Sequence, residues 1–485
     1  MKKTPTRLED NTPTLGKIKL HYYQKEAVEK WKENNYIGVY DMATGTGKTF
    51  TGCASICELF KNRKRLVTVI VCPYTHLVEQ WGKEVQKFGI NPILGYSKSS
   101  LNWEKKFNRA VSNFQLELTD FVCLITTNIT YCTEKVQSVL DEVYNDVLLV
   151  IDEAHNFGAM HLSKYLRKDF RYRLALSATL ERYMDDDGTG KLLDYFQKKC
   201  ITYTLQEAIA NEFLTRYYYY PIPVYLSDGE LEKYQELSEK ILEECSRCNL
   251  KETDRQHMPE RLKMLLIKRA RIIAGSINKL EALKEVMQKY KNDKNLLVYC
   301  GATTIGDYGY DEDKTSTDDK RQIDEVIRIL GVEMNMEVSP FTSNENIEER
   351  ENIKSAYVNG DLQALIAIKC LDEGVDIPAI KTAFILASST NPKEYIQRRG
   401  RVLRKFKGKK YAEIYDFITL PRDLNTVGTI AKGITDLEKS LVKREMARMM
   451  DFAEMADNSI DSFNLKEQIC DAYKLDIIQG GIEDE

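Results

Sequence analysis

Tyr36-Ile37-Gly38-Val39-Tyr40-Asp41-Met42-Ala43-Thr44-Gly45-Thr46-Gly47-Lys48-Thr49 runs from a β-branched and aromatic stretch into a glycine turn and then into a helical pattern. Its closing Gly47-Lys48-Thr49 matches a phosphate-binding loop, in which backbone N–H groups at a helix N-terminus cradle phosphate oxygens. In that reading Thr44, Gly45, Thr46 and Gly47 form the cradle. Lys48 reaches the β- and γ-phosphates, and the Thr49 hydroxyl ligates Mg²⁺. The general pattern has glycine where Met42 stands.

Outward from this turn, short apolar runs alternate with longer helical patterns. Tyr36–Tyr40, Leu66–Cys72, Phe121–Thr126, Val147–Ile151 and Arg173–Leu176 form one series. Continuous apolar strands of this kind suit a parallel sheet covered on both faces, and their alternation with helices makes an α/β lobe. Asn295–Cys300, Glu337–Phe341, Ala364–Lys369, Thr382–Ala387 and Tyr411–Phe417 form a second series, hence a second lobe. A mostly helical stretch lies between them, with Ser227-Asp228-Gly229-Glu230 reading as a capping box. Gly306–Lys320 reads as an exposed acidic loop. After Pro421 the pattern is helical again: Thr435-Asp436-Leu437-Glu438 reads as another capping box, and Val442, Met446, Met449, Ala453 and Ala456 share a stripe. The expected domains are 1–222, 223–425 and a helical tail at 426–485 that packs on a lobe, with a partner-binding helix as the alternative.

The bulk properties set bounds. A chain of 485 residues exceeds one compact core and suits two to three domains. Lysine plus arginine number 70 against 74 acidic residues, a formal charge of −4, so nucleic acid would need a localised basic groove. Neither a signal peptide nor an apolar run of the roughly 20 residues that span a bilayer is legible. The 11 cysteines are scattered, several in apolar runs, which suits reduced thiols in a cytoplasmic protein. Cys245 and Cys248 have the spacing of half a zinc site with His257 nearby, but a structural zinc takes four ligands and two cysteines on a helix face is the simpler reading. Lys61–Arg65 and Lys405–Lys410 are basic clusters that read as solvated surface, with phosphate contact as the alternative. Tyr217–Tyr220 invites base stacking, but alternating strand packing explains it better.

Val150-Ile151-Asp152-Glu153-Ala154-His155 places an acidic pair at the end of an apolar strand. There Asp152 can hold the Mg²⁺ that neutralises a triphosphate, and Glu153 can act as general base on the attacking water. Asp-Glu-Ala-His is also the DEAH-box signature, and from these residues the chain resembles the superfamily 2 helicases. Further motifs of the family stand in the expected order. Gln24 resembles the glutamine that reads the adenine edge, with His21 where an arginine often stands. Cys72-Pro73-Tyr74 and Thr126-Thr127-Asn128 resemble the strand-backbone contacts of the first lobe, and Ser177-Ala178-Thr179 the motif that couples the lobes. Leu371–Pro378, with Gly374 and Asp376, resembles motif V, and Gln397-Arg398-Arg399-Gly400-Arg401-Val402-Leu403-Arg404 fits motif VI.

The resemblance covers roughly residues 18 to 420 and is nearest to the XPB-like and restriction-type DNA translocases. It implies two tandem RecA-like lobes that share one ATP and one Mg²⁺. Gln24, Gly374 and Asp376 join the phosphate loop in binding nucleotide, while Gln397, Arg401 and Arg404 join Lys48 and Glu153 in catalysis. Arg401 and Arg404, three apart, would share a helix face and stabilise the charge that develops on the γ-phosphate. The implied activity is nucleic-acid-stimulated ATP hydrolysis driving movement along DNA, or unwinding of it. An RNA motor with the same chemistry and a nucleotide-dependent clamp or adaptor are the alternatives. No nuclease or methyltransferase module is legible, so a restriction or phage-defence role would draw its cutting activity from a separate subunit.

Overall fold

A computed structural model describes residues 11–96, 102–182, 185–248, 258–301, 317–342, 345–368, 377–387 and 392–475. The chain forms two compact units, Met1–Asn211 and Glu212–Glu485.

The first unit carries seven strands: β1 Ile37–Met42, β2 Leu66–Cys72, β3 Ile93–Gly95, β4 Phe121–Thr127, β5 Val147–Asp152, β6 Tyr172–Ser177 and β7 Lys199–Tyr203. They lie in the order β3-β4-β2-β5-β6-β1-β7, and every pairing is parallel. β2, β4 and β5 are buried at every residue, the signature of a sheet with helices on both faces. Val67, Val69, Leu149 and Ile151 pack on one side with Phe107, Val111 and Leu140. All seven strands point the same way, so their carboxyl ends form one edge, where open α/β sheets bind ligands.

The second unit carries β8 Arg216–Tyr225, β9 Leu296–Tyr299, β10 Val338–Phe341, β11 Ala364–Ala367, β12 Thr382–Ile385 and β13 Tyr411–Leu420. Their order is β10-β11-β9-β12-β13-β8, again all parallel. β8 tolerates Pro221 and Pro223 because it is an edge strand, paired among the described strands with β13 alone. Its tyrosines alternate as strand packing requires. Tyr217 and Tyr219 are fully buried on one face, while Tyr220 stacks on Tyr415 with centroids 4.7 Å apart on the other.

The tail helix Lys432–Ala453 buries Val442, Met446, Met449 and Ala453, four of the five residues of the expected stripe; Ala456 lies beyond the helix end and is half-buried. It packs on the second unit, where the Tyr217 hydroxyl donates to the Phe452 carbonyl at 2.5 Å. Just beyond it, the Asn458 side chain accepts from the Tyr219 N–H at 2.8 Å and donates to its carbonyl at 2.9 Å, covering the open side of β8. Buried Arg448 donates to both Asp416 oxygens at 3.1 Å and to Glu445 at 3.0 and 3.2 Å, a charge network joining tail to sheet.

Two expectations change. Thr435 does not cap the tail helix, which begins three residues earlier. Its hydroxyl donates to the Lys432 carbonyl, and Glu438 is taken by Arg422. Of the expected acidic loop, Thr317 to Lys320 open the helix Thr317–Ile327, and the rest lies outside the described residues. Among the described residues no helix is long and apolar enough to cross a membrane.

Candidate active site

The phosphate loop bridges the end of β1 and the helix Lys48–Arg63. Gly45 and Gly47 adopt φ of +88° and +83°, a left-handed backbone that L side chains resist. A Cβ on Gly47 would also fall 2.8 Å from Gln24 Nε2. Met42 stands where glycine is usual because it belongs to the strand: it is fully buried and paired opposite Tyr203. Lys48 Nζ donates to the Met42 carbonyl at 2.9 Å, which folds the lysine over the turn. Thr46 is held by its own hydroxyl bond to the Ala43 carbonyl at 2.7 Å and by the Tyr23 hydroxyl, which donates to the Thr46 carbonyl at 2.8 Å. Thr44 is buried and its Oγ1 has no partner among the described residues, as suits an atom in a loop that receives a polar ligand. Thr49 is half-buried in the first turn of the helix.

Gln24 is buried beside this loop, its Oε1 accepting from the His21 N–H at 3.0 Å. Gln24 therefore lies against the glycine turn that follows β1. Tyr23, its neighbour, stacks on Tyr203 at 4.1 Å. The sequence reading missed Tyr23; its signal was the aromatic pair preceding Gln24.

Asp152 ends β5 at the same edge and is buried. Its Oδ2 accepts from Trp81 Nε1 at 2.8 Å, and its Oδ1 from the Glu153 N–H at 3.0 Å. Burial and then the neighbouring Glu153 push the Asp152 carboxyl above its ordinary range, while the Trp81 bond and the Lys48 charge pull it back. Lys48 follows β1 and Asp152 ends β5, two strands flanking β6, so both stand at the carboxyl edge of the same sheet. Glu153 adopts φ 47°, ψ 52°, a left-handed conformation that costs a non-glycine residue about 1 kcal/mol or more. Its Oε2 lies 3.5 Å from His155 Nδ1.

The remaining edge residues follow the strand order. Cys72 ends β2, and Thr127 ends β4 and caps a short helix by accepting from the Thr130 N–H at 3.3 Å. Asn128 Oδ1 is buried without a partner among the described residues. Ser177 ends β6, its hydroxyl donating to the Thr179 carbonyl at 2.7 Å.

In the second unit, Gln397, Arg398, Arg399 and Arg401 lie buried on the helix Pro392–Val402. They do different things. Arg399 donates to the Asp451 carbonyl at 2.6 Å, pairs with its carboxylate at 2.8 Å and lies over the Phe452 ring, so it fastens the tail. Arg398 pairs with Glu394 at 3.2 Å. The expectation that Arg401 and Arg404 share a helix face is corrected: the helix ends at Val402, and Arg404 lies beyond it in a β-bridge with Leu214. A turn, with the Arg404 N–H 3.4 Å from the Arg401 carbonyl, maintains their proximity.

Lys409 closes that turn, donating from Nζ to the carbonyls of Val402 and Arg404. One member of the basic cluster is therefore engaged by backbone carbonyls and only partly exposed; Lys405, Lys407 and Lys410 are exposed. In the other cluster Arg65 donates to the Phe114 carbonyl at 2.6 Å, and the whole run sits where β2 begins, at the sheet edge opposite the phosphate loop. Gly374 and Asp376 lie outside the described residues, as does His257. Cys245 is buried on the helix Asp228–Cys248, and the described residues hold no cluster of three metal-ligating groups.

Residues 17–182 match the family described as type III restriction enzyme, res subunit, and residues 278–406 match the helicase conserved C-terminal domain. The DNA 3'-5' translocase XPB2 of Sulfurisphaera tokodaii is 26% identical over 446 residues, covering 88% of this chain and 85% of that protein. Helicase 22 of a Sulfolobus islandicus filamentous virus is 25% identical over 418 residues, and the match spans 83% of this chain and 65% of the viral protein. Among solved structures, the ATP-dependent type ISP restriction-modification enzyme LlaBIII bound to DNA aligns with 96% of this chain at TM-score 0.59 and 16% identity. This chain spans only 33% of that enzyme's length. The Hef helicase domain of Pyrococcus furiosus aligns with 84% of this chain and 97% of its own at TM-score 0.52 and 13% identity. Both likenesses show the fold, tandem RecA-like lobes with parallel sheets flanked by helices. With the two family matches placed in order along it, the chain carries the domain pair of the superfamily 2 helicases of XPB-like and restriction type, an ATP-hydrolysing family.

Proposed function

We propose that this chain is an ATP-driven motor that moves along DNA or unwinds it, with hydrolysis stimulated by the nucleic acid. One observation carries the reading: the fold brings Lys48, Asp152 and Glu153 to one sheet edge, with Asp152 electrostatically linked to Lys48. In this proposal Gln24 contacts the base and the loop from Thr44 to Gly47 cradles the phosphates. Thr49 and Asp152 would hold the Mg²⁺ that neutralises phosphate charge. Lys48 orients the γ-phosphate and Glu153 takes the proton of the attacking water. Gly374 and Asp376 join from the second unit as nucleotide contacts, and Gln397, Arg401 and Arg404 complete the site when the units close around ATP.

Asn211, at the end of the first unit, donates to the Tyr203 hydroxyl at 3.3 Å, and Tyr203 stacks on the Tyr23 that holds the phosphate loop. Leu214, at the start of the second, pairs with Arg404. Only Glu212 and Phe213 separate these two anchors in the chain. A site divided this way depends on whatever else bridges the units, and DNA bound by both would do so.

The DNA preference is supported by the translocase relative, and a separate nuclease subunit by the restriction-type likeness; the proposed location is the cytoplasm. The test is ATP hydrolysis with single-stranded, duplex and forked DNA and the matching RNAs, with Glu153→Gln as control. We expect low basal turnover, strong stimulation by DNA and its loss in the control. Equal rates with and without every polynucleotide would refute the motor, and stimulation by RNA alone would replace DNA as the track.

A further inference from the structure

Arg182 stands five residues after Ser177, outside every motif singled out above, yet its side chain runs back into the Asp-Glu-Ala-His segment. Its Nη1 donates to the His155 carbonyl. Its Nε donates to Asp185 Oδ2 at 2.6 Å, and its own backbone N–H donates to Thr189 Oγ1 at 2.9 Å. Asp185 is fixed in turn, its Oδ1 accepting from the Gly188 N–H at 2.8 Å as it caps the helix Asp186–Phe196.

The path of this side chain leaves no slack. A Cβ on Gly158 would collide with Arg182 Cδ and lie 2.9 Å from its Nε. One on Gly188 would lie 2.8 Å from that same Nε. The arginine thus threads between two glycines from different elements, with 7% of its side chain exposed. It ends on the residue two past Glu153, in the 3₁₀ turn Ala154–Gly158. Glu153 itself holds a left-handed backbone that persists only where its surroundings enforce it.

We propose that Arg182 is a positioning residue, gripping the His155 carbonyl so that Glu153 stays in its left-handed conformation with its carboxylate aimed for water activation. This rests on the reading of Glu153 as general base. Losing the clamp leaves Lys48 and the phosphate loop untouched and lets Glu153 relax away from the reacting water. Small misplacements of a catalytic group cost up to about 100-fold in rate.

The experiment uses the full chain: DNA-stimulated ATPase kinetics and fluorescent-ATP binding for wild type, R182A, R182K, E153Q and R182A/E153Q. The expected result for R182A is a kcat lower by about 10- to 100-fold with KM and nucleotide affinity within about threefold. R182K, which keeps one donor, should recover part of the loss, and it serves alone if R182A does not fold. The double variant should be no slower than E153Q, because both changes remove one function. Wild-type kcat in R182A, or R182A slowing E153Q by the same factor it slows wild type, overturns the proposal. E153Q turning over like wild type instead removes the general-base reading beneath it.

Discussion

The indole N–H of Trp81 donates to Asp152 Oδ2 at 2.8 Å, joining the fully buried face of the helix Thr75–Gln86 to the acidic end of β5. The bond fixes which way the carboxylate faces and favours its charged form, which a Mg²⁺ ligand requires. Trp81→Phe keeps the ring and deletes the donor. Partners that orient a metal ligand typically govern about 10- to 100-fold in metal affinity, so the Mg²⁺ concentration for half-maximal ATP hydrolysis should rise about 10-fold. A Mg²⁺ titration checks this, and an unchanged midpoint would mean that Asp152 needs no orienting partner.

Arg399 sits between Gln397 and Arg401 in the same motif but points to the tail. Arg399→Met removes its bonds to Asp451 and its cation–π contact with Phe452. The variant should lose about 2 kcal/mol of stability in the second unit, seen as a lower melting temperature, with nucleotide affinity of the first unit unchanged. Unaltered melting together with lost hydrolysis would mean that this guanidinium serves the nucleotide instead.

The distinction between Arg399 and Arg401 marks where sequence reading stopped. Gly47-Lys48-Thr49 and Asp152-Glu153 were legible because their chemistry is local: a turn conformation and a strand end set by adjacent residues. The strands β2, β4 and β5 were legible for the same reason, as continuous apolar runs. β3 and β7 were not, being short and only partly apolar. Trp81 and Arg182 were invisible because their roles come from partners 71 and 27 residues away, created only when strands assemble side by side. Lys409 was misjudged because a lysine among lysines reads as solvent-facing until a helix end supplies it with carbonyls.

That lysine makes a pH prediction. Burial, and then the charge of Arg404, push the Lys409 amine down to about 7 from its ordinary 10.5. Between those values the unfolded chain carries a proton that the folded chain does not, so Lys409 adds stability as pH rises through this window. Lys409→Met removes the titration. The melting temperature of wild type should gain on that of the variant from pH 7 to pH 10. A difference that stays flat over that range would show the amine to be solvated.

The central claim is that Arg401 acts on the same triphosphate as Lys48. The most direct measurement is single-turnover ATP hydrolysis at saturating DNA by wild type and Arg401→Ala, with nucleotide affinity measured alongside. The account predicts a rate lower by about 10³-fold, the scale of arginine fingers in related phosphoryl transfer, with affinity changed only a few-fold. Arg401→Ala turning over ATP at the wild-type rate, correctly folded and DNA-bound, would contradict it.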